Sequence, residues 1–261
     1  MPTRTPSPDA MDLRDTYRRV NDQIAEAAIR SGRQPDDVLM VAVTKYASVD
    51  QIQRIVEMGH IDLGESRVQQ LSQRVPQIDE FLARRKTLAG AIPKSSEAVP
   101  DRVRWHMIGH LQRNKVKQVS PLVDLIHSVD SLRLAEELHN YAARKDVILD
   151  VLLQVNASGE GSKSGVVAPA VLPLAEQLDT MVHLRLRGFM TMAPYSENPE
   201  DARPTFARTA DLFHDAKKAK LGGEHLTVLS MGMSGDFQVA IEEGANLVRI
   251  GRGLFGDQEA L

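Results

Sequence analysis

Short apolar segments alternate with amphipathic segments along this chain, and the alternation predicts a parallel α/β fold. Apolar positions at three- and four-residue spacing from Leu13 to Ala28 predict a leading helix that ends near Gly32. A continuous apolar run at 38–43 predicts a strand that is buried on both faces. A second helical pattern follows at 49–56 and stops at Gly59.

The same alternation continues toward the end of the sequence. Strands are predicted at 38–43, 60–64, 103–109, 123–129, 147–156, 184–190, 225–231 and 245–251. Further helices are predicted near 112–119, 131–144, 166–180, 200–220 and 235–243. Eight βα units in 261 residues favour a closed barrel over an open sheet. The predicted fold class is therefore α/β, a single (β/α)8 barrel of the TIM type with an extra N-terminal helix.

Two segments fall outside this alternation. Residues 1–11 contain three prolines and no apolar core, so we expect a disordered leader and not a signal peptide. Residues 86–102 are rich in Ser, Pro, Gly and Ala, which predicts a surface loop. We expect residues 12–261 to form one domain.

Composition excludes several classes of function. The chain has no cysteine, which excludes disulfides, thiolate zinc sites and cysteine nucleophiles. A formal net charge of -3 gives no basic field for nucleic acid, so we expect no nucleic-acid partner. No apolar run is long enough for a membrane span, and a cytoplasmic location is the expectation.

In a barrel of this kind the active face lies at the carboxyl ends of the strands. Lys45, in VAVTKY, directly follows the first buried strand. A poorly hydrated position there favours the neutral amine that forms a Schiff base. By position alone, a surface lysine at the start of a loop is the commoner interpretation, so the neighbouring residues must decide.

Two glycine-rich segments follow the last two predicted strands. GRGLFG at 251–256 matches G-x-G-x-x-G, but too few residues follow it for a dinucleotide-binding unit. LSMGMSGDF at 229–237 ends the seventh strand. Loops at these two places commonly bind phosphate in such barrels. An ordinary glycine turn, and an N-cap role for Ser234, are the alternatives.

Two other patterns suggest ligands but have ordinary explanations. NASGEGSKSGV at 156–166 lacks the Gly-Lys-Ser/Thr order of a nucleotide-binding loop, so a solvated turn and a direct ligand role both stay open. His106 and His110 have the spacing of helical metal ligands. Because WHMIG is predicted to be a strand, the two side chains are separated and no metal is expected.

Seven segments together resemble one known family. They are VAVTK (41–45), DLGES (62–66), WHMIGHLQRNK (105–115), SGEGSKSG (158–165), LRLRGFMTM (184–192), LSMGMSGDF (229–237) and VRIGRGLFG (248–256). The chain resembles the pyridoxal phosphate homeostasis proteins, which are similar to the N-terminal barrel domain of alanine racemase. The resemblance implies pyridoxal 5′-phosphate as the cofactor.

The resemblance also assigns roles to individual residues. It makes Lys45 the Schiff-base lysine and places Arg249 near the pyridine nitrogen. The other implied cofactor contacts are Ser66, Ser230, Met231, Ser234, Gly251 and the backbone of Arg252, with Ser230, Gly251 and Arg252 at the phosphate. The sequence departs from the family pattern at four positions, which are Ser66 for Asn, Arg67 for Tyr, Arg252 for Thr and His110 for Pro.

The resemblance favours a carrier or regulator with little or no turnover. An arginine beside the pyridine nitrogen keeps that nitrogen unprotonated and weakens the ring as an electron sink. Racemases of this fold add a β-rich domain with an opposing tyrosine, and no tyrosine here is expected in such a domain. We expect exchange with pyridoxal phosphate-dependent apoenzymes and a monomer or weak dimer. The alternatives are a pyridoxal phosphate-dependent amino-acid racemase, a Schiff-base aldolase and a phosphate-ester isomerase.

Overall fold

The computed structural model describes residues 12–89, 100–159 and 164–256. Its strands form one parallel sheet, in which the first strand pairs with both the second and the last. The strands are β1 (Leu39–Val43), β2 (Asp62–Glu65), β3 (Arg104–Met107), β4 (Leu125–Val129), β5 (Leu149–Asn156), β6 (Val166–Val167), β7 (Leu184–Thr191), β8 (Val228–Ser230) and β9 (Leu247–Ile250).

Eight of these strands close the predicted barrel. Closure uses the pairing of β4 with β5 and of β9 with β1, so the ring runs β1-β2-β3-β4-β5-β7-β8-β9. The two-residue strand β6 pairs only with the end of β5 and lies outside the ring. The (β/α)8 prediction is thereby confirmed, with the eight strand positions correct to within a few residues.

Helices follow the strands and cover the outside of the barrel. They are α1 (Leu13–Arg30), α2 (Val49–Glu57), α3 (Val68–Ala89), α4 (Val116–Val119), α5 (Leu132–Lys145), α6 (Ala168–Asp179), α7 (Arg203–Lys218), α8 (Phe237–Glu242) and α9 (Arg252–Phe255). The extra N-terminal helix is α1, which packs against α8 and α9. None of the helices in the described ranges is long and apolar enough to cross a membrane.

Three predictions at the level of elements need correction. No helix is predicted between the second and third strands. The structure has α3 there, which buries Leu71, Val75 and Ile78 at helical spacing. The predicted loop 86–102 is helical as far as residue 89, and residues 90–99 lie outside the described part. GRGLFG, read as a turn, contains the one-turn helix α9. The predicted leader 1–11 also lies outside the described residues.

Alternating residues of each strand face opposite sides of the sheet and form two separate cores. The large core lies between the strands and the helices and includes Leu63, Trp105 and Phe189. A small apolar layer lies inside the barrel and consists of Val41, Leu125, Leu152, Met190 and Leu247. Polar side chains occupy other inward positions, and these build the candidate site.

Candidate functional site

Lys45 lies in a tight turn at the carboxyl end of β1. The turn, here called the Lys45 turn, comprises residues 44–47 and is closed by a hydrogen bond from Ala47 N to Thr44 O at 2.7 Å. Lys45 is half-buried, and its Nζ lies 4.8 Å from the centre of the Tyr46 ring. The structure therefore places the predicted Schiff-base lysine at the end of the barrel where active sites form.

Arg74 of α3 clamps the Lys45 turn. Its guanidinium donates to Thr44 O at 2.6 Å and to Ala47 O at 2.8 Å, so it holds both ends of the turn. The same guanidinium forms an ion pair with Glu65, whose side chain is completely buried. A cation that satisfies two carbonyls and a carboxylate at once fixes the local backbone strongly.

Glu65, at the end of β2, links this clamp to the neighbouring strand end. Its Oε2 accepts from the Thr44 hydroxyl at 3.0 Å, and its Oε1 accepts from Ser66 N at 2.7 Å and Arg67 N at 3.2 Å. With Arg74, this carboxylate has four donors, as a buried charge requires. The loops after β1 and β2 are consequently held as one unit.

Arg249 on β9 is buried inside the barrel. It donates to Ser230 Oγ at 2.6 Å and to Thr191 O at 2.9 Å. Burial lowers the pKa of Arg249 to about 10, although the nearby Asp236 carboxylate opposes this shift. The guanidinium is still a cation near neutral pH. In register, Arg249 pairs with Val41, close to the strand end that carries Lys45.

A row of hydrogen-bonded side chains extends from Ser230 across the barrel interior. Ser230 Oγ lies 3.1 Å from His127 Nδ1, and His127 Nε2 lies 3.0 Å from His106 Nδ1. His106 Nε2 lies 3.1 Å from Asp62 Oδ1. Arg104 donates to both oxygens of Asp62, at 2.7 and 2.6 Å. We call Asp62, His106, His127 and Ser230 the interior chain.

Charge and burial set the protonation of this interior chain. Burial lowers the pKa of His127 well below its ordinary value, and the neighbouring His106 and Arg249 lower it further. Burial opposes ionisation of Asp62, but hydrogen bonds from His106 and Arg104 outweigh it and lower the pKa of that carboxyl. His127 is therefore neutral and Asp62 is ionised near neutral pH.

The loops after β8 and β9 approach each other closely. Gly253 N donates to Ser234 Oγ at 3.0 Å, which ties one loop to the other. A Cβ on Gly251 would lie 3.3 Å from the Val43 side chain, so a side chain at this position would have to displace Val43 by a few tenths of an ångström. Gly232 has φ +89, and a Cβ there would lie 2.7 Å from Phe237 Cα. Gly251 thus lets the segment after β9 lie close to the end of β1, and Gly232 lets the loop after β8 lie close to α8.

Most predicted site residues meet at this end of the barrel. Ser66 lies at the end of β2, and its carbonyl would be 2.1 Å from a Cβ on Gly109. Arg252 is exposed at the start of α9, shortly after β9. Met231 differs, because its side chain is fully buried in the outer core and its N–H donates to Leu247 O. The Met231 side chain therefore points away from the other predicted cofactor contacts.

Two alternatives from the sequence can now be judged. Ser234 is not the N-cap of α8, because Asp236 takes that position and accepts from Met233 N at 2.6 Å. His106 is buried and His110 is largely exposed beside Asp130, as the strand interpretation required. Within the described ranges no group of three His, Asp or Glu side chains could hold a metal ion. Residues 160–163 of the 156–166 segment lie outside those ranges.

Sequence reasoning missed Glu65, Arg74, Asp62 and His127 as site residues. One signal could have found two of them. Asp62 and His127 are polar residues inside apolar strands, at positions that alternate with core residues. Arg74 carries no such signal, because a basic residue on an amphipathic helix usually faces solvent.

Comparison with known proteins agrees with this architecture. Residues 50–259 match the family model described as "Alanine racemase, N-terminal domain". A curated relative from Aquifex aeolicus (strain VF5), named "Pyridoxal phosphate homeostasis protein", is 37% identical over 250 residues. The match covers 95% of this chain and 100% of the relative.

Solved structures give the same picture. An unknown protein from Bifidobacterium adolescentis is 32% identical, with a TM-score of 0.83 over 93% of this chain and 94% of that chain. PipY of Synechococcus elongatus PCC7942, solved with pyridoxal phosphate bound, is 29% identical with a TM-score of 0.69. That match covers 89% of this chain and 100% of PipY.

Proposed function

Because this chain belongs to the pyridoxal phosphate homeostasis proteins, within the alanine racemase N-terminal domain family, we propose that it binds pyridoxal 5′-phosphate as a Schiff base on Lys45. We further propose that it takes part in pyridoxal phosphate homeostasis as a carrier or regulator with little or no turnover. The observation that carries this proposal is the position of Lys45, in a clamped turn beside the strand that holds Arg249 and leads into Gly251.

The residues at this end of the barrel fit the parts of the cofactor. Lys45 offers an amine for the aldehyde. The loops after β8 and β9 are tied together by the hydrogen bond from Gly253 N to Ser234 Oγ, and their glycine-rich backbone suits an anion such as the phosphate. Gly251, which has no side chain, lets the backbone after β9 lie close to Val43 at the end of β1, beside the turn that carries Lys45.

The buried cation supports the proposal of low turnover. Pyridoxal phosphate, when bound, supplies an aldehyde that condenses with amines and a ring that withdraws electrons from an attached amino acid. Ser230 and Thr191 hold Arg249 in place, and its pKa of about 10 keeps it charged at neutral pH. A fixed cation beside the ring nitrogen disfavours protonation there and weakens electron withdrawal.

Borohydride reduction followed by peptide mass spectrometry tests the lysine assignment. We expect the protein incubated with pyridoxal phosphate to absorb at the violet edge of the visible range and to carry the reduced adduct on Lys45. Lys45→Ala should lose both signals. Lys115→Ala is the matched control, because Lys115 is an exposed lysine after β3. An adduct on Lys115, or an unchanged adduct in Lys45→Ala, would contradict the assignment.

Solvent deuterium exchange separates the carrier from the racemase. A racemase would place deuterium at the α-carbon of an amino acid, and Lys45→Ala would abolish the exchange. A carrier would instead deliver its cofactor to an added apoenzyme that depends on pyridoxal phosphate. We expect delivery with no measurable deuterium incorporation.

A further inference from the structure

One direction of hydrogen bonding along the interior chain gives every hydrogen in it a partner. Arginine has no acceptor, so Ser230 Oγ must accept from Arg249. The only hydroxyl hydrogen of Ser230 is then free to point at His127 Nδ1. His127 must in turn donate from Nε2 to His106 Nδ1. His106 completes the series by donating from Nε2 to Asp62.

In this direction both histidines carry a hydrogen on Nε2 and none on Nδ1. Every donor has an acceptor, and the series ends on a carboxylate that Arg104 also contacts with two hydrogen bonds. The opposite direction would put a hydrogen on His127 Nδ1 and aim it at Ser230. Ser230 Oγ would then accept from two donors, and its own hydrogen would lose this partner.

The far end of the interior chain lies at the amino end of the barrel. Asp62 and Arg104 are the first residues of β2 and β3. Both line a cleft of about 540 Å³ together with Tyr17 and His60. Ser230 and Arg249 lie near the carboxyl ends of β8 and β9. A continuous set of side-chain contacts therefore joins the two ends of the barrel.

We propose that His127 and His106 are positioning residues, which orient the Ser230 hydroxyl so that it accepts from Arg249 and holds this cation in place for the cofactor ring. Asp62 fixes the tautomers of both histidines from the opposite end of the barrel. This inference rests on the proposed function, since Arg249 is taken to face the ring of pyridoxal phosphate.

The contacts of Arg249 support this role. Ser230 Oγ and Thr191 O are its hydrogen-bond acceptors in the described part of the chain, and both are neutral. The Thr191 carbonyl is fixed by the strand, whereas a serine hydroxyl can rotate. Without an acceptor at His127 Nδ1, the Ser230 hydrogen could turn toward the guanidinium and repel it. The geometry of the buried cation thus depends on His127.

A pair of substitutions at His127 separates positioning from simple packing. His127→Asn places an amide oxygen near the former Nδ1, so it can still accept from Ser230 but does not reach His106. His127→Gln places an amide near the former Nε2, so it still reaches His106 but loses Ser230. Each variant loses one buried hydrogen bond, and we expect similar losses of stability in urea unfolding.

Cofactor affinity should differ between the two variants. By spectral titration with pyridoxal phosphate, we expect His127→Asn to bind nearly as the wild type does. His127→Gln should bind about tenfold more weakly, as expected for one misdirected hydrogen bond at the site. Equal losses in both variants at equal stability would show that His127 only fills space, and would overturn the inference.

The histidine tautomers give a test that needs neither variant nor cofactor. Nitrogen-15 NMR of the wild-type protein should show hydrogen on Nε2 and none on Nδ1 for both His106 and His127. A hydrogen on His127 Nδ1 would overturn the inference even if the cofactor binds. A wild type that does not bind pyridoxal phosphate would instead overturn the proposed function, and the NMR result would still report on the chain.

Discussion

Replacing Arg74 with methionine would remove the clamp on the Lys45 turn and keep a long, flexible side chain. The Arg74 side chain is 12% exposed and its partner Glu65 is 0% exposed, so the pair is almost entirely out of water. Breaking a buried pair by removing one partner typically costs about 3–5 kcal/mol. Glu65 keeps three other donors in Thr44, Ser66 and Arg67, so we expect a loss near the lower limit, about 3 kcal/mol.

A double-mutant cycle measures how much of this loss belongs to the pair. Glu65→Gln keeps the shape of the side chain, and Arg74 can still donate to the two carbonyls of the turn. We expect the double variant to lose less than the sum of the single losses, by roughly 1–3 kcal/mol. Equilibrium urea unfolding gives these energies through Trp105, the single tryptophan, which is buried.

Two results would refute this account of the clamp. One is a loss below about 1 kcal/mol for Arg74→Met, the size expected for an exposed ion pair. The other is strict additivity in the cycle. The clamp also predicts a functional effect, because a loosened Lys45 turn should weaken pyridoxal phosphate binding in Arg74→Met. Arg84→Met, which removes an exposed ion pair on the same helix, is the matched control.

The remaining predictions concern pH and glycines. Burial lowers the pKa of His60 and His127 below 6.5, so only the unfolded chain gains these protons as the pH falls below 6.5. The free energy of unfolding should therefore drop by up to about 1.4 kcal/mol per pH unit for each histidine. Urea unfolding at a series of pH values should show a shallower drop in His127→Asn, which lacks one of the two groups. Gly232→Ala should lower the Tm by roughly 10 °C in thermal melts, because φ +89 and a contact of 2.7 Å strain the new side chain, whereas Gly235→Ala, with open space around it, should not. Gly251→Val should weaken pyridoxal phosphate binding about tenfold or more in spectral titrations without unfolding the barrel, and unchanged affinity would argue against the phosphate loops.

Much of the fold can be predicted from sequence because each strand is marked locally. Short apolar runs separated by amphipathic stretches are enough to place all eight barrel strands. The helix α3 escapes this reasoning, since it contains Pro76, and a proline inside a helical pattern usually marks a helix end. Without this helix, and with Arg74 resembling an ordinary solvent-facing residue, the clamp on the Lys45 turn cannot be predicted either.

The candidate site also contains residues that the sequence places and residues that it does not. Lys45 and the glycine loops follow directly after strands, so strand prediction already places them at one end of the barrel. The pairing of His106 with His127, or of Glu65 with Arg74, depends on strand stagger and helix rotation. These quantities are set by closure of the whole sheet, and local patterns do not contain them.

The contact between β1 and β9 links cofactor binding to closure of the whole barrel. Leu39 pairs with Leu247, so the first and last strands of the ring, which are far apart in the sequence, meet only when the strands between them have assembled. The amine arrives on one side of this seam and the glycine loop on the other. A ligand that bridges both sides would stabilise the closed barrel by a free energy that grows with the logarithm of its concentration relative to its Kd, and would not stabilise chains whose barrel is still open.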